Sequence, residues 1–103
     1  MKGMGDMLRQ AQIMQRKMQE MQGDLAKRTV TATAGGGMVT VTATGGQDIV
    51  SIAIDKAVVD PADVEMLQDL VLAAVNDALK KAREMQESEM SQLTGGLKLP
   101  GMF

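Results

Sequence analysis

Arg9 and Arg16 stand seven residues apart in MGDMLRQAQIMQRKMQEMQ, and Lys2 and Lys27 fall near the same angular position if the segment is helical. Guanidinium and ammonium groups in one row suit the chemistry of phosphate binding, in which charge rather than base identity is recognised. Lys17 borders that row, and Lys80, Lys81 and Arg83 form a second basic group, diluted by Glu84, Glu87 and Glu89. The plain alternative is a solvated helix face, because Asp6, Glu20 and Asp24 are interspersed with the first set. With Phe103 as the one aromatic residue, stacking on unpaired bases is poorly served. Any nucleic acid bound through these groups is therefore expected to be a duplex, met through phosphates and shape.

Other candidate chemistry is weaker. Gly35–Val39, GGGMV, has the glycines of a phosphate loop but lacks the Lys-Ser/Thr pair and the following helix, so it reads as a hairpin turn. Asp60, Asp63, Glu65 and Asp69 cluster where a helix N-terminus favours negative charge, which explains them without catalysis. There is no histidine and no cysteine, removing imidazole acid–base work, thiolate chemistry and most transition-metal sites. No catalytic residue, metal or cofactor is expected.

These residues must be held by few elements, because 103 residues make one domain. So short a chain buries a modest fraction of its surface, and a partner subunit would add useful apolar burial. The net charge of -2 is unevenly spread: residues 1–28 hold six basic and three acidic groups, whereas residues 60–103 hold four and eight. The opening MKGMGDML has no run of signal-peptide length and no stretch suits a membrane span, so a cytoplasmic protein is expected.

From Met4 to about Lys27, apolar residues at 4, 7, 11, 14, 18, 21 and 25 mark one seam of a long helix. The seam is rich in Met, which packs adaptably and suits core or dimer packing better than a dedicated peptide groove. RTVTATA, MVTVTAT and IVSIAI then alternate with period two, separated by GGG and GGQD, predicting a three-stranded antiparallel meander. Val30, Ala32, Ala34, Val39, Val41, Ala43, Val50, Ile52 and Ile54 would share the face that takes the helices. A Thr-rich set, joined by Met38, Ile49 and Ala53, would lie opposite.

Asp60 is expected to cap a second helix, with Pro61 in its first turn and a stripe from Val64 through Leu67, Leu70, Val71, Ala74, Val75, Ala78 and Ala82 to Met85. It can run to about Leu93 before Gly95 and Gly96 stop it. Roughly 30 helical residues span about 45 Å against about 20 Å for a six-residue strand, so the helix must overhang the sheet. The far ends of the two helices can then pair antiparallel as an arm. The expected architecture is α+β in the order αβββα, residues 1–94 forming one domain and 95–103 a flexible tail that at most rests Leu97, Leu99 or Phe103 on an arm.

GGGMVTVTATGGQDIVSIAID, AAVNDALKKA and the ending GG-L-LPG-F, with the opening MGDMLRQAQIMQRKMQEMQ, resemble the YbaB/EbfC family of bacterial nucleoid-associated proteins over essentially the whole chain. The resemblance implies a homodimer with projecting helical arms that binds double-stranded DNA at the nucleoid with low sequence specificity. Family members often carry Lys and Arg in the strands where this chain has Thr. DNA contact is accordingly expected at Lys2, Arg9, Arg16, Lys17 and Lys27, with Lys80, Lys81 and Arg83 assisting. The competing expectation is an adaptor whose Met-rich arms hold a recombination or replication protein.

Overall fold

The computed structural model describes the backbone of residues 2–94 and the side chains of residues 3–93. Helix α1 (Lys2–Lys27) leads into strands β1 (Thr29–Ala34), β2 (Val39–Thr44) and β3 (Ile49–Ile54), a single 3-10 turn (Lys56–Val58) and helix α2 (Val64–Thr94). The expected αβββα order is observed, with an antiparallel sheet in the order β1-β2-β3. Residues 95–103, expected as a flexible tail, lie outside the described residues.

The strands follow the alternation in the sequence. Ala32 pairs with Val41 and Ala34 with Val39, while Val39 and Val41 face Ile54 and Ile52 across the other ladder. Gly35, Gly36 and Gly37 all adopt positive φ, which suits the tight β1–β2 connection and leaves GGGMV with a turn rather than a phosphate loop. One expectation fails in β3. The register slips between Thr42 and Ala43, so Ile49 rather than Val50 stands opposite Ala43. An extra residue in one strand shifts the alternation at that point, and Ile49 leaves the Thr-rich set in which strict period two had placed it.

Helix α2 begins three residues later than expected. Asp60 accepts from the Ala62 N–H at 2.9 Å and closes its own turn, its carbonyl receiving the Asp63 N–H at 2.9 Å. Asp63 is the helix cap, its carboxylate accepting from the Met66 N–H at 3.2 Å. The DPAD stretch offers two capping carboxylates, and the proline-containing turn uses the first.

Helix α2 packs over β1 and β2, and there lies the core: Ala32, Val39, Val41, Ala43, Val58, Ala74 and Ala78. Ala74, Ala78 and Ala82 recur every four residues with no exposed surface, so small side chains bring the helix close to the sheet. The expectation that the whole Val/Ile face is covered holds for two strands only. All six residues of β3 are exposed. A groove of about 460 Å³ lies between Ile54 and the Leu67, Gln68, Val71, Leu72 and Val75 flank of α2.

Helix α1 meets the body near its C-terminal end. Leu25 is buried, and Met21, Gln22 and Leu25 line a recess of about 320 Å³ with Gly46, Gln86 and Met90. The pairing is antiparallel and short, and it engages the body-side end of α1 rather than the far end expected to pair with α2. Extrapolated along both helices, it sets Thr94 across from about residue 17, so roughly the first 15 residues of α1 reach beyond the described end of α2. The described structure extends 73 × 26 × 16 Å, far longer than the ~46 Å of α2 itself.

Candidate nucleic-acid interface

The helical geometry of α1 does for the basic residues what their spacing predicts. Arg9, Arg16 and Lys27 lie within about 20° of one another around the axis, and Lys17 stands one residue aside. All four are exposed. Among the described residues none of the four has an ion-pair partner. Arg9 to Lys27 covers about 27 Å along the helix, and Lys2, whose side chain is outside the described part, would extend the row to about 38 Å. That length matches the ~34–36 Å of one duplex turn. The opposite seam is buried only toward the body: Leu25 is covered and Met14, Met18 and Met21 are half-buried, while Met4 and Met7 are 72% and 70% exposed.

The second basic group divides. Lys80 and Arg83 are exposed on the side of α2 turned from its alanine stripe. Lys81 instead bends to the sheet, its Nζ donating to the Thr31 carbonyl at 3.1 Å and lying 3.8 Å from Asp77 Oδ2. It is half-exposed but occupied, covering a main-chain acceptor of β1. The signal for this is in the sequence: Lys81 follows Ala78 by three residues and precedes Met85 by four, which puts it on the flank of the core stripe.

Arg28 has a role that spacing alone did not indicate. Its Nη1 donates to Glu89 Oε1 at 2.7 Å and stands 3.5 Å from Asp24 Oδ2. The hydrogen bond to Glu89, reinforced by the charges of Glu89 and Asp24, raises the Arg28 pKa further above its ordinary value. Only the Asp24 half of that arrangement, one helical turn away, is readable locally; Glu89 is 61 residues distant.

Among the described residues no group of three acidic or other ligating side chains is placed to hold a metal ion, and no helix is long and apolar enough to cross a membrane. The architecture itself is shared with an uncharacterized protein of Helicobacter pylori, at a TM-score of 0.76 and 24% identity over 92% of this chain and 97% of that one. A nucleoid-associated protein of Pelotomaculum thermopropionicum is 56% identical over 97% of this chain and 95% of its own length. Another, from Acetivibrio thermocellus, is 59% identical over 95% of this chain and 88% of its own. The sequence model of the YbaB/EbfC DNA-binding family matches residues 1–97. Helix, meander, overhanging helix and near-complete coverage by both relatives and family model agree: the chain belongs to the YbaB/EbfC DNA-binding family.

Proposed function

We propose that this protein binds double-stranded DNA as a homodimer in the bacterial nucleoid, within the cytoplasm, through phosphates and duplex shape and with low sequence specificity. The observation that carries the reading is the row of exposed, unpaired basic side chains on the projecting helix of a chain from a DNA-binding family. Arg9, Arg16, Lys17 and Lys27 are the principal phosphate ligands in this reading, joined by Lys2 and assisted by Lys80 and Arg83. Lys81 assists least, because the Thr31 carbonyl holds its ammonium group. Contacts from such a row go to phosphates, which position a duplex but read no base edges, and this is why specificity is low.

A second copy is the partner that fits the bare side of the sheet. Ile49, Ile52, Ile54 and Leu72 are 38%, 45%, 40% and 60% exposed and adjoin the apolar groove beside α2. The core of one chain offers nothing larger than Val39 and Val41 fully buried, so covering this face would supply the burial a single chain lacks. Ile52→Glu is expected to convert the dimer to a monomer in sedimentation equilibrium; a dimer of unchanged affinity would place the interface elsewhere.

The DNA reading is tested by reversing Arg9 and Arg16 to Glu together. Affinity should fall for random duplexes and every defined duplex alike, with dimer mass and helix content unchanged. Undiminished binding would make the row an ordinary solvated face. A narrower alternative, an adaptor for recombination or replication proteins, draws on exposed Met4, Met7 and Leu8 at the arm's end. It requires partners that persist in a pull-down after nuclease treatment and disappear when these three residues are made polar.

A further inference from the structure

The direction in which α1 leaves the body is set at one small junction. Arg28, just beyond the helix, grips Glu89 of α2 at 2.7 Å and Asp24 of α1 at 3.5 Å. One turn earlier on α2, Gln86 donates from Nε2 to the Gly45 carbonyl at 2.6 Å, and its Oε1 accepts from Gln47 Nε2 at 3.2 Å. Gly45 in turn donates its N–H to the Arg28 carbonyl at 2.9 Å. The end of α1, the β2–β3 turn and the distal half of α2 are thus tied by side chains spaced i, i+3 on α2 and by one main-chain bond. Beneath them there is no slack: a Cβ on Gly45 would stand 2.8 Å from the Leu25 carbonyl oxygen and 3.1 Å from Met85 Sδ.

We propose that Arg28, Glu89 and Gln86 are positioning residues for DNA binding: they latch the base of α1 and hold its basic row at a fixed angle without themselves meeting phosphate. The inference rests on the reading that α1 carries the phosphate contacts. Leverage makes a modest latch matter. Arg9 lies about 24 Å along the helix from Leu25, so a tilt of about 10° at the junction moves it by about 4 Å, more than the length of a charged hydrogen bond. An exposed ion pair contributes little to global stability, but beyond the buried Leu25 and the half-buried methionines of its seam the described residues give α1 few contacts to fix its angle.

Charge separates this idea from direct contact. Glu89→Gln frees Arg28 and removes a negative charge; if Arg28 were a phosphate ligand, DNA binding would tighten. The latch predicts a loss of about three- to tenfold, the range expected when an ion pair and its hydrogen bond weaken. Gln86→Ala, which changes no charge, should weaken binding in the same direction.

The angle itself can be read without DNA. The chain has no native cysteine, so spin labels on Gln12→Cys and Lys56→Cys, diluted with unlabelled chain, report the arm's spread by double electron–electron resonance. Both latch variants should broaden that distance distribution, whereas Lys17→Gln should weaken binding with the distribution unchanged. An unaltered distribution in both latch variants overturns the latch. A broadened distribution with equal or tighter DNA binding overturns its positioning role. If instead reversal of Arg9 and Arg16 leaves binding intact, the phosphate reading of α1 fails while the distance measurement still decides the latch.

Discussion

The two helices are built on opposite principles. Helix α2 buries Ala74, Ala78 and Ala82 completely against β1 and β2, and its position is dictated by close packing. The first half of α1 buries almost nothing, leaving Met4, Met7 and Leu8 largely exposed, and its position depends on the junction around Leu25 and Arg28. In the first region shape decides and charge is incidental. In the second, charge is presented and packing is sparse, which is consistent with the phosphate contact proposed for α1.

The largest expected contrast comes from substituting each region once. Ala78→Asp places a carboxylate where there is neither water nor partner and should cost about 3 kcal/mol or more, enough to abolish cooperative melting in a domain this small. Met7→Ser removes an exposed thioether and should stay within about 0.5 kcal/mol in the same denaturant titration. Comparable losses at both sites would mean that the arm is packed in solution.

Gly45→Ala sharpens the comparison at the border between the regions. The new methyl group would meet main chain at Leu25, and relief requires α1 to move away. A loss of about 1–3 kcal/mol is expected from such overpacking. It should be accompanied by faster hydrogen exchange at Met21–Lys27 and unchanged protection in β2. Uniform loss across the sheet would show that the junction and the body unfold as one.

The smallest effect concerns where α2 begins. Asp63→Ala removes the carboxylate that accepts the Met66 N–H and should cost about 1 kcal/mol, whereas Asp60→Ala should leave the helix start in place. The reverse ranking would restore the earlier start expected from sequence.

Most of the body is legible in the sequence because its signals are local. The breaks between the three strands fall at the glycine-bearing GGG and GGQD segments, and the stripe on α2 repeats at helical spacing. The departures involve choices that local pattern leaves open. Strict alternation has no mark for an extra residue, so the shift that pairs Ile49 with Ala43 is hidden. DPAD contains two capping candidates, and only the closed turn at Asp60 distinguishes them.

The basic row on α1 is legible because its residues lie on one helix. The latch is not, because its members come from α1, a turn and α2, and nothing near Arg28 in the chain points to Glu89. The bare face of β3 is hidden for a related reason. Its alternation reports which side chains share a face, not how far along the sheet a single helix reaches.

The central claim is that α1 meets DNA through a countable set of phosphates, and the salt dependence of duplex binding tests it most directly. The logarithm of the association constant should fall linearly with that of salt concentration, with a slope of about -0.9 per phosphate neutralised. Replacing Arg9 and Arg16 with Gln should make that slope shallower by about 0.9 for each phosphate that is no longer neutralised, on every duplex alike. A slope unchanged by these replacements, or binding indifferent to salt, would contradict the account.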